Sequence, residues 1–338
     1  MRVITRGDSV IVQYHHVDRN RGPRSETRYL IRNGAVLGGE TWSLSLYGPD
    51  TLAHGKPLDR FEVAGDSVRW QLGDSTRSSP LGPGSFYRLR SFTPFDQALL
   101  ARFLLARPDR TAQVLPGGTA KLEIVADTTL RTPAGRRHLR LAMIRGQGGP
   151  PSGVWLDQEG TLVASELGWF ITVRPESQQL LPALRAIELK YRDTEGERLA
   201  QRVAPPPATA IAILNGDLFD SEHGAVLPRT TVLIRGDRIA AVGPSDSITV
   251  PPGATLIDAA GKTVLPGMWD MHTHLFHTSQ SFGAVAQLAT GLTTIRDLAA
   301  DLDVAVSHRD RAAAGRLASP RLILAGFMEG PGRWGGPT

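Results

Sequence analysis

Through the first 90 residues apolar side chains alternate with polar ones, as at Val10, Val12 and Tyr14. That period of two is the mark of half-buried strands. Tyr29-Leu30-Ile31 runs into Asn33-Gly34, a pair that tolerates positive φ and closes tight hairpins. Phe61-Glu62-Val63 and Val68-Arg69-Trp70 flank Gly65-Asp66, predicting a second hairpin. One helix interrupts the pattern over residues 94–107, where Phe95, Leu99, Leu100 and Phe103 recur at helical spacing and Pro108 closes the run. Strand patterns resume over 119–126 and 137–144. Val154-Trp155-Leu156 and Leu162-Val163-Ala164 flank a turn at Gln158-Glu159-Gly160. A second helix is expected from Pro175 to about Arg192.

Pro205-Pro206-Pro207 marks the clearest boundary. Three prolines donate no ladder hydrogen bonds and favour an extended spacer. Beyond it come short strands at 211–214, 232–235, 239–242 and 255–257, separated by Asn215-Gly216, Gly236-Asp237 and Gly243-Pro244. A strand leading to Asp270-Met271-His272-Thr273-His274 follows, then a helix over 282–290, a strand over 293–298, a helix over 304–315 and a strand over 320–327. Alternating strands and helices imply a parallel α/β arrangement. The chain is therefore expected to be multidomain: a β-rich N-terminal domain over 1–204, a linker and small β-sandwich unit over 205–263, and an α/β part over 264–338.

Composition narrows the function classes. Of the 338 residues none is cysteine, which excludes disulfides, cysteine-zinc sites and a thiol nucleophile. No apolar run is long enough for a transmembrane helix. The start, Met1-Arg2-Val3-Ile4, has no apolar core of a signal peptide, so a cytoplasmic protein or a periplasmic one lacking its leader is expected. Residues 1–204 hold 28 Lys/Arg against 21 Asp/Glu, and residues 205–338 hold 10 against 12. The basic residues are scattered and mostly arginine, giving no support for nucleic-acid binding.

His272-x-His274 is the motif that carries chemistry. Residues two apart on a strand share a face, so Asp270, His272 and His274 are expected to point one way and Met271 and Thr273 the other. Two imidazoles on one face can hold one divalent ion, zinc by donor type. Alone the motif is weak, since nine histidines can pair by chance. Its surroundings are more specific: Ile213-Leu214-Asn215-Gly216, the hairpin Ile234-Arg235-Gly236-Asp237-Arg238-Ile239, Val242-Gly243, Ile257-Asp258-Ala259, Gly261-Lys262-Thr263-Val264-Leu265-Pro266-Gly267, Gly291-Leu292-Thr293-Thr294-Ile295-Arg296-Asp297 and Ser319-Pro320-Arg321-Leu322.

With these features, residues 211–338 resemble the amidohydrolase superfamily, particularly its imidazolonepropionase-like and prolidase-like group. The resemblance implies a small β-sandwich beside a (β/α)8 TIM barrel, with His272 and His274 ending the first barrel strand as metal ligands. The family's other ligands and its catalytic aspartate do not transfer, because no lysine follows residue 262 and only His277 and His308 follow the pair. Residues 264–338 number 75, against about 250 for a whole barrel. The expectation is an incomplete barrel of strands one to three, a fragment inactive alone, with the catalytic residues beyond residue 338.

Other residues have weaker readings. Asp270 is a candidate to orient an imidazole from behind the ligands. His277 is read as lining the pocket mouth or as merely exposed, His308 as a surface residue on the second helix. Arg296-Asp297 reads either as a substrate-orienting pair at the pocket or as a structural ion pair. Gly330-Pro331-Gly332-Arg333-Trp334-Gly335 lacks the helix that a dinucleotide fingerprint requires and reads as a loop over the pocket. The expected function is metal-dependent hydrolysis of amide, peptide or cyclic-amide C–N bonds in a small molecule or short peptide, with oligomers allowed in the parent protein. The alternative is a non-catalytic, envelope-associated binding protein whose β-rich N-terminal domain is the working part.

Overall fold

The computed structural model describes residues 1–15, 24–44, 55–82, 84–89, 93–133, 135–165, 171–204, 208–275, 280–300 and 302–326. The tri-proline linker, His277 and the 330–335 loop lie outside the described residues.

Strands β1 (Arg2–Arg6), β2 (Ser9–His15), β3 (Arg24–Arg32), β4 (Ala35–Leu44), β5 (Asp59–Ala64), β6 (Ser67–Leu72) and β7 (Ser75–Pro80) form a seven-stranded antiparallel meander in chain order. Asn33 and Gly34, both at positive φ, turn β3 into β4 as the sequence predicts. A second seven-stranded sheet is built from β8 (Ser85–Tyr87), β9 (Thr111–Leu115), β10 (Thr119–Thr132), β11 (Gly135–Arg145), β12 (Ser152–Leu156), β13 (Leu162–Ser165) and β14 (Thr172–Val173). Helix α1 (Pro94–Leu105) begins at a capping box, Thr93 with Asp96. The buried Asp96 carboxylate also accepts a hydrogen bond from the Tyr29 hydroxyl, tying α1 to the first sheet.

The second sheet is buried on both faces. Ala142, Ile144, Val154 and Leu156 join α1 and the first sheet in one core. Their neighbours Leu141, Met143 and Trp155 face the other way, onto Leu180 and Leu184. This explains the unbroken apolar run Leu141-Ala142-Met143-Ile144, since a strand covered on both sides loses its polar alternation. Leu184 belongs to α2 (Leu181–Val203), which follows a 3-10 turn over Pro175–Leu180. The sequence placed the end of this helix near Arg192; its polar last turns continue to Val203.

The small β unit comprises β15 (Ile211–Asp220), β16 (Ala225–Arg235), β17 (Arg238–Pro244), β18 (Thr255–Asp258) and β19 (Thr263–Val264). Asn215-Gly216, expected to end a strand, instead forms an irregularity inside β15. A Cβ on Gly216 would lie 2.6 Å from the Val264 side chain. Glycine here lets β15 pair with β18 and then, further along, with β19.

Strands β20 (Met268–Thr273), β21 (Leu292–Ala300) and β22 (Arg321–Gly326) form a parallel three-stranded sheet in that order. Helices α3 (Gln280–Ala289) and α4 (Leu302–Ala313) connect them. This is the strand–helix alternation expected of a barrel's opening, and among the described residues no barrel closes.

Helix α2 reaches this part of the fold and contacts α3. Arg311 of α4, 8% exposed, donates to the Asp193 carboxylate and carbonyl of α2 and pairs with Glu197. His308 lies one turn away on the same face and is 3% exposed, with Nε2 3.4 Å from the Ser319 hydroxyl. The surface position read from the sequence is thus corrected: α4 packs on β22, where His308 is buried beside Ser319, and Arg311 on the same face is held by the acids of α2.

Burial, with the nearby Arg311 cation, pushes the His308 pKa down to about 4. The unfolded chain then binds this proton more readily than the folded one. Stability is expected to fall as pH drops from about 6.5 to about 4, by up to about 3 kcal/mol, and to level off below. Urea unfolding at pH 7 and pH 4.5 checks this; a His308→Gln variant with an unchanged acid slope would reject it.

Candidate metal centre

Strand β20 lies close against β21 because Gly267 precedes it. A Cβ there would fall 2.1 Å from the Thr293 hydroxyl oxygen. In the resulting register Asp270 pairs with Ile295 and Thr273 with Asp297, with an irregularity between the two pairs. The Thr273 hydroxyl meets Gln287 of α3 at 3.0 Å, so Thr273 faces the helix.

His272 and His274 come together as the spacing predicts. Their rings meet edge to face, centroids 5.4 Å apart and planes at 87°. Both side chains are exposed. The His274 Nδ1–H donates to the Leu298 carbonyl at 2.7 Å, which fixes the ring's orientation and tautomer. Asp270 accepts the His272 backbone N–H at 3.0 Å, so its carboxylate holds the strand end rather than an imidazole.

Asp297, 3% exposed, accepts the Leu275 N–H at 3.1 Å. Burial raises its pKa, and the Leu275 bond and the nearby His274 act in the opposite direction. Arg296 is exposed, and among the described residues it is not one of the groups that act on Asp297. The structure thus brings His272, His274, Asp270 and Asp297 to one strand end and leaves Arg296 apart. Among the described residues no group of three His, Asp or Glu side chains is placed to hold a metal. The fit rests on the imidazole pair: two nitrogen donors side by side suit a divalent ion such as zinc. The Leu298 carbonyl and the Leu275 amide are invisible in the sequence because a backbone group carries no residue signature.

No family model matches the chain. An adenine deaminase from Rubrobacter xylanophilus is 48% identical over 69 residues, 20% of this chain and 11% of that protein. An imidazolonepropionase from Anaeromyxobacter dehalogenans is 30% identical over 115 residues, 32% of this chain and 27% of that protein. Among solved structures, molinate hydrolase is 32% identical with a TM-score of 0.33, over 36% of this chain and 30% of that one. These likenesses support an amidohydrolase-superfamily relationship for the matched stretches of the chain. The matched stretches span about a tenth to a quarter of these curated relatives.

Proposed function

We propose that this protein is a metal-dependent hydrolase of carbon–nitrogen bonds in small molecules or short peptides, with His272 and His274 as two ligands of one divalent ion, zinc by donor chemistry. The observation that carries the reading is the meeting of the two rings at 5.4 Å at the C-terminal end of a parallel strand. Parallel α/β folds, barrels above all, keep their active sites at that end of the strands. The likeness to proteins named adenine deaminase, imidazolonepropionase and enamidase supports C–N bond cleavage.

A bound divalent ion would supply an acidified water and a polarised carbonyl. The chain's own residues prepare the place for it. The Leu298 carbonyl holds His274 with hydrogen on Nδ1, which directs Nε2 to the ligand role. Asp270 pins the backbone at His272, and Asp297 pins it at Leu275. The remaining coordination positions would be taken by other groups and by water. In this reading residues 264–338 supply barrel strands one to three, residues 205–263 the linker and the sandwich beside them, and residues 1–204 an accessory domain.

Metal analysis of the purified protein is expected to find a stoichiometric divalent ion. Hydrolysis of an X-proline dipeptide, a cyclic imidazolone or adenine is expected only from protein that also carries the remaining ligands and a catalytic proton carrier, and there a chelator abolishes it and zinc restores it. Protein that binds no divalent ion at micromolar concentration would overturn the proposal.

A further inference from the structure

Helix α1 has a cleft on each side. One, of about 630 Å³, lies between α1 and the β3–β4 turn, walled by Ile31, Val36, Phe61, Phe86, Leu99 and Phe103. The other, of about 520 Å³, opens toward β13 and β14, walled by Val3, Phe95, Ala98, Leu162 and Val173. Both sizes fall in the range of about 300–1,000 Å³ typical of small-ligand pockets.

Arg102 belongs to both walls. Phe95, Ala98 and Arg102 follow helical spacing on one flank of α1, and Leu99, Phe103 and Ala106 follow it on the next. Arg102 therefore stands on the ridge between the clefts. Its side chain is exposed, and among the described residues no acidic group pairs with it. Arg107 lies over the Phe103 ring at 4.9 Å, and its guanidinium reaches the backbone at Gly84. Among the described residues neither cleft has an aspartate or glutamate in its wall.

An apolar cavity with an unpaired guanidinium on its rim and, among the described residues, no carboxylate in its wall selects for charge as well as shape. A long cation would meet Arg102 unfavourably, and a neutral chain would leave it without a partner. A carboxylate matches its planar fork with two parallel hydrogen bonds. We propose that the cleft between α1 and the β3–β4 turn binds an amphipathic carboxylate of the fatty-acid class, the alkyl chain among Phe61, Phe86 and Phe103 and the head group on Arg102. The larger cleft is chosen over its neighbour because its aromatic walls are richer and because the second arginine of the neighbour's wall, Arg174, is already paired with Glu176. This site is separate from the metal centre, and its test is independent of the hydrolase reading.

Calorimetric titration of the full chain with dodecanoate is expected to give one-to-one binding. Dodecyltrimethylammonium, with the same chain and the opposite charge, is expected to show none. Arg102→Glu is expected to weaken dodecanoate by about tenfold or more, the scale of losing a charge-assisted pair. Because Arg102 is exposed, that variant keeps its fold, which circular dichroism checks. Arg174→Glu, in the wall of the other cleft alone, is expected to bind dodecanoate as the wild type does. Absence of binding, equal binding of both surfactants, or a loss with Arg174→Glu but not Arg102→Glu would each overturn the assignment.

Discussion

Replacing His272 and His274 together by alanine is expected to remove the bound metal and weaken zinc affinity by more than about 100-fold. The scale follows from the partners behind metal ligands, whose loss alone costs about 10- to 100-fold; losing two ligands should exceed it. Both rings are exposed, so the double variant is expected to unfold within about 0.5 kcal/mol of the wild type. That separation makes the experiment decisive. Metal content, zinc affinity and urea unfolding are measured on the same preparation. A variant that keeps a stoichiometric ion would remove the pair from the ligand set.

The largest loss of stability is expected from Trp155→Ala. Trp155 is fully buried in the face of the second sheet that packs on Leu180 and Leu184. Emptying the site costs the transfer of a large apolar surface plus a cavity, about 3–5 kcal/mol. The indole nitrogen is buried with no hydrogen-bond partner among the described residues. The residue therefore contributes through packing alone, and Trp155→Phe is expected to lose much less than the alanine variant. Urea midpoints at constant m-value read both. Equal losses for Phe and Ala would show that the indole N–H has a partner that the packing argument omits.

Much of the fold is legible in the apolar pattern, and the exceptions have physical causes. Val10, Val12, Phe61 and Trp70 alternate because their strands present one face to the core. Strand β7, Ser-Thr-Arg-Ser-Ser-Pro, escapes notice because an edge strand with little burial needs no apolar side chains. The C-terminal half of α2 is hidden by Asp193, Thr194 and Gly196, poor helix formers, and is held through contacts with a distant segment. Asn215-Gly216 reads as a turn because both residues tolerate positive φ, and Asn215 does take it. The strand nevertheless continues, since the glycine serves the close passage of Val264.

The metal centre divides in the same way. His272-x-His274 is readable because strand periodicity alone places the rings together. Asp297 is readable only as one of two choices with Arg296, and burial decides between them. His308 is misread because helical spacing shows which face it shares with Arg311 but not that this face packs on β22.

The contact of Arg311 with Asp193 and Glu197 has a consequence for protein engineering. The partners Arg311 and Asp193 are 118 residues apart in the chain. A chimera that transplants residues 1–204 onto another scaffold would carry the two acids and leave their guanidinium behind. The half left behind would keep Arg311 without its two acidic partners. A graft that includes α4, or one that neutralises all three positions together, is the exchange this architecture tolerates.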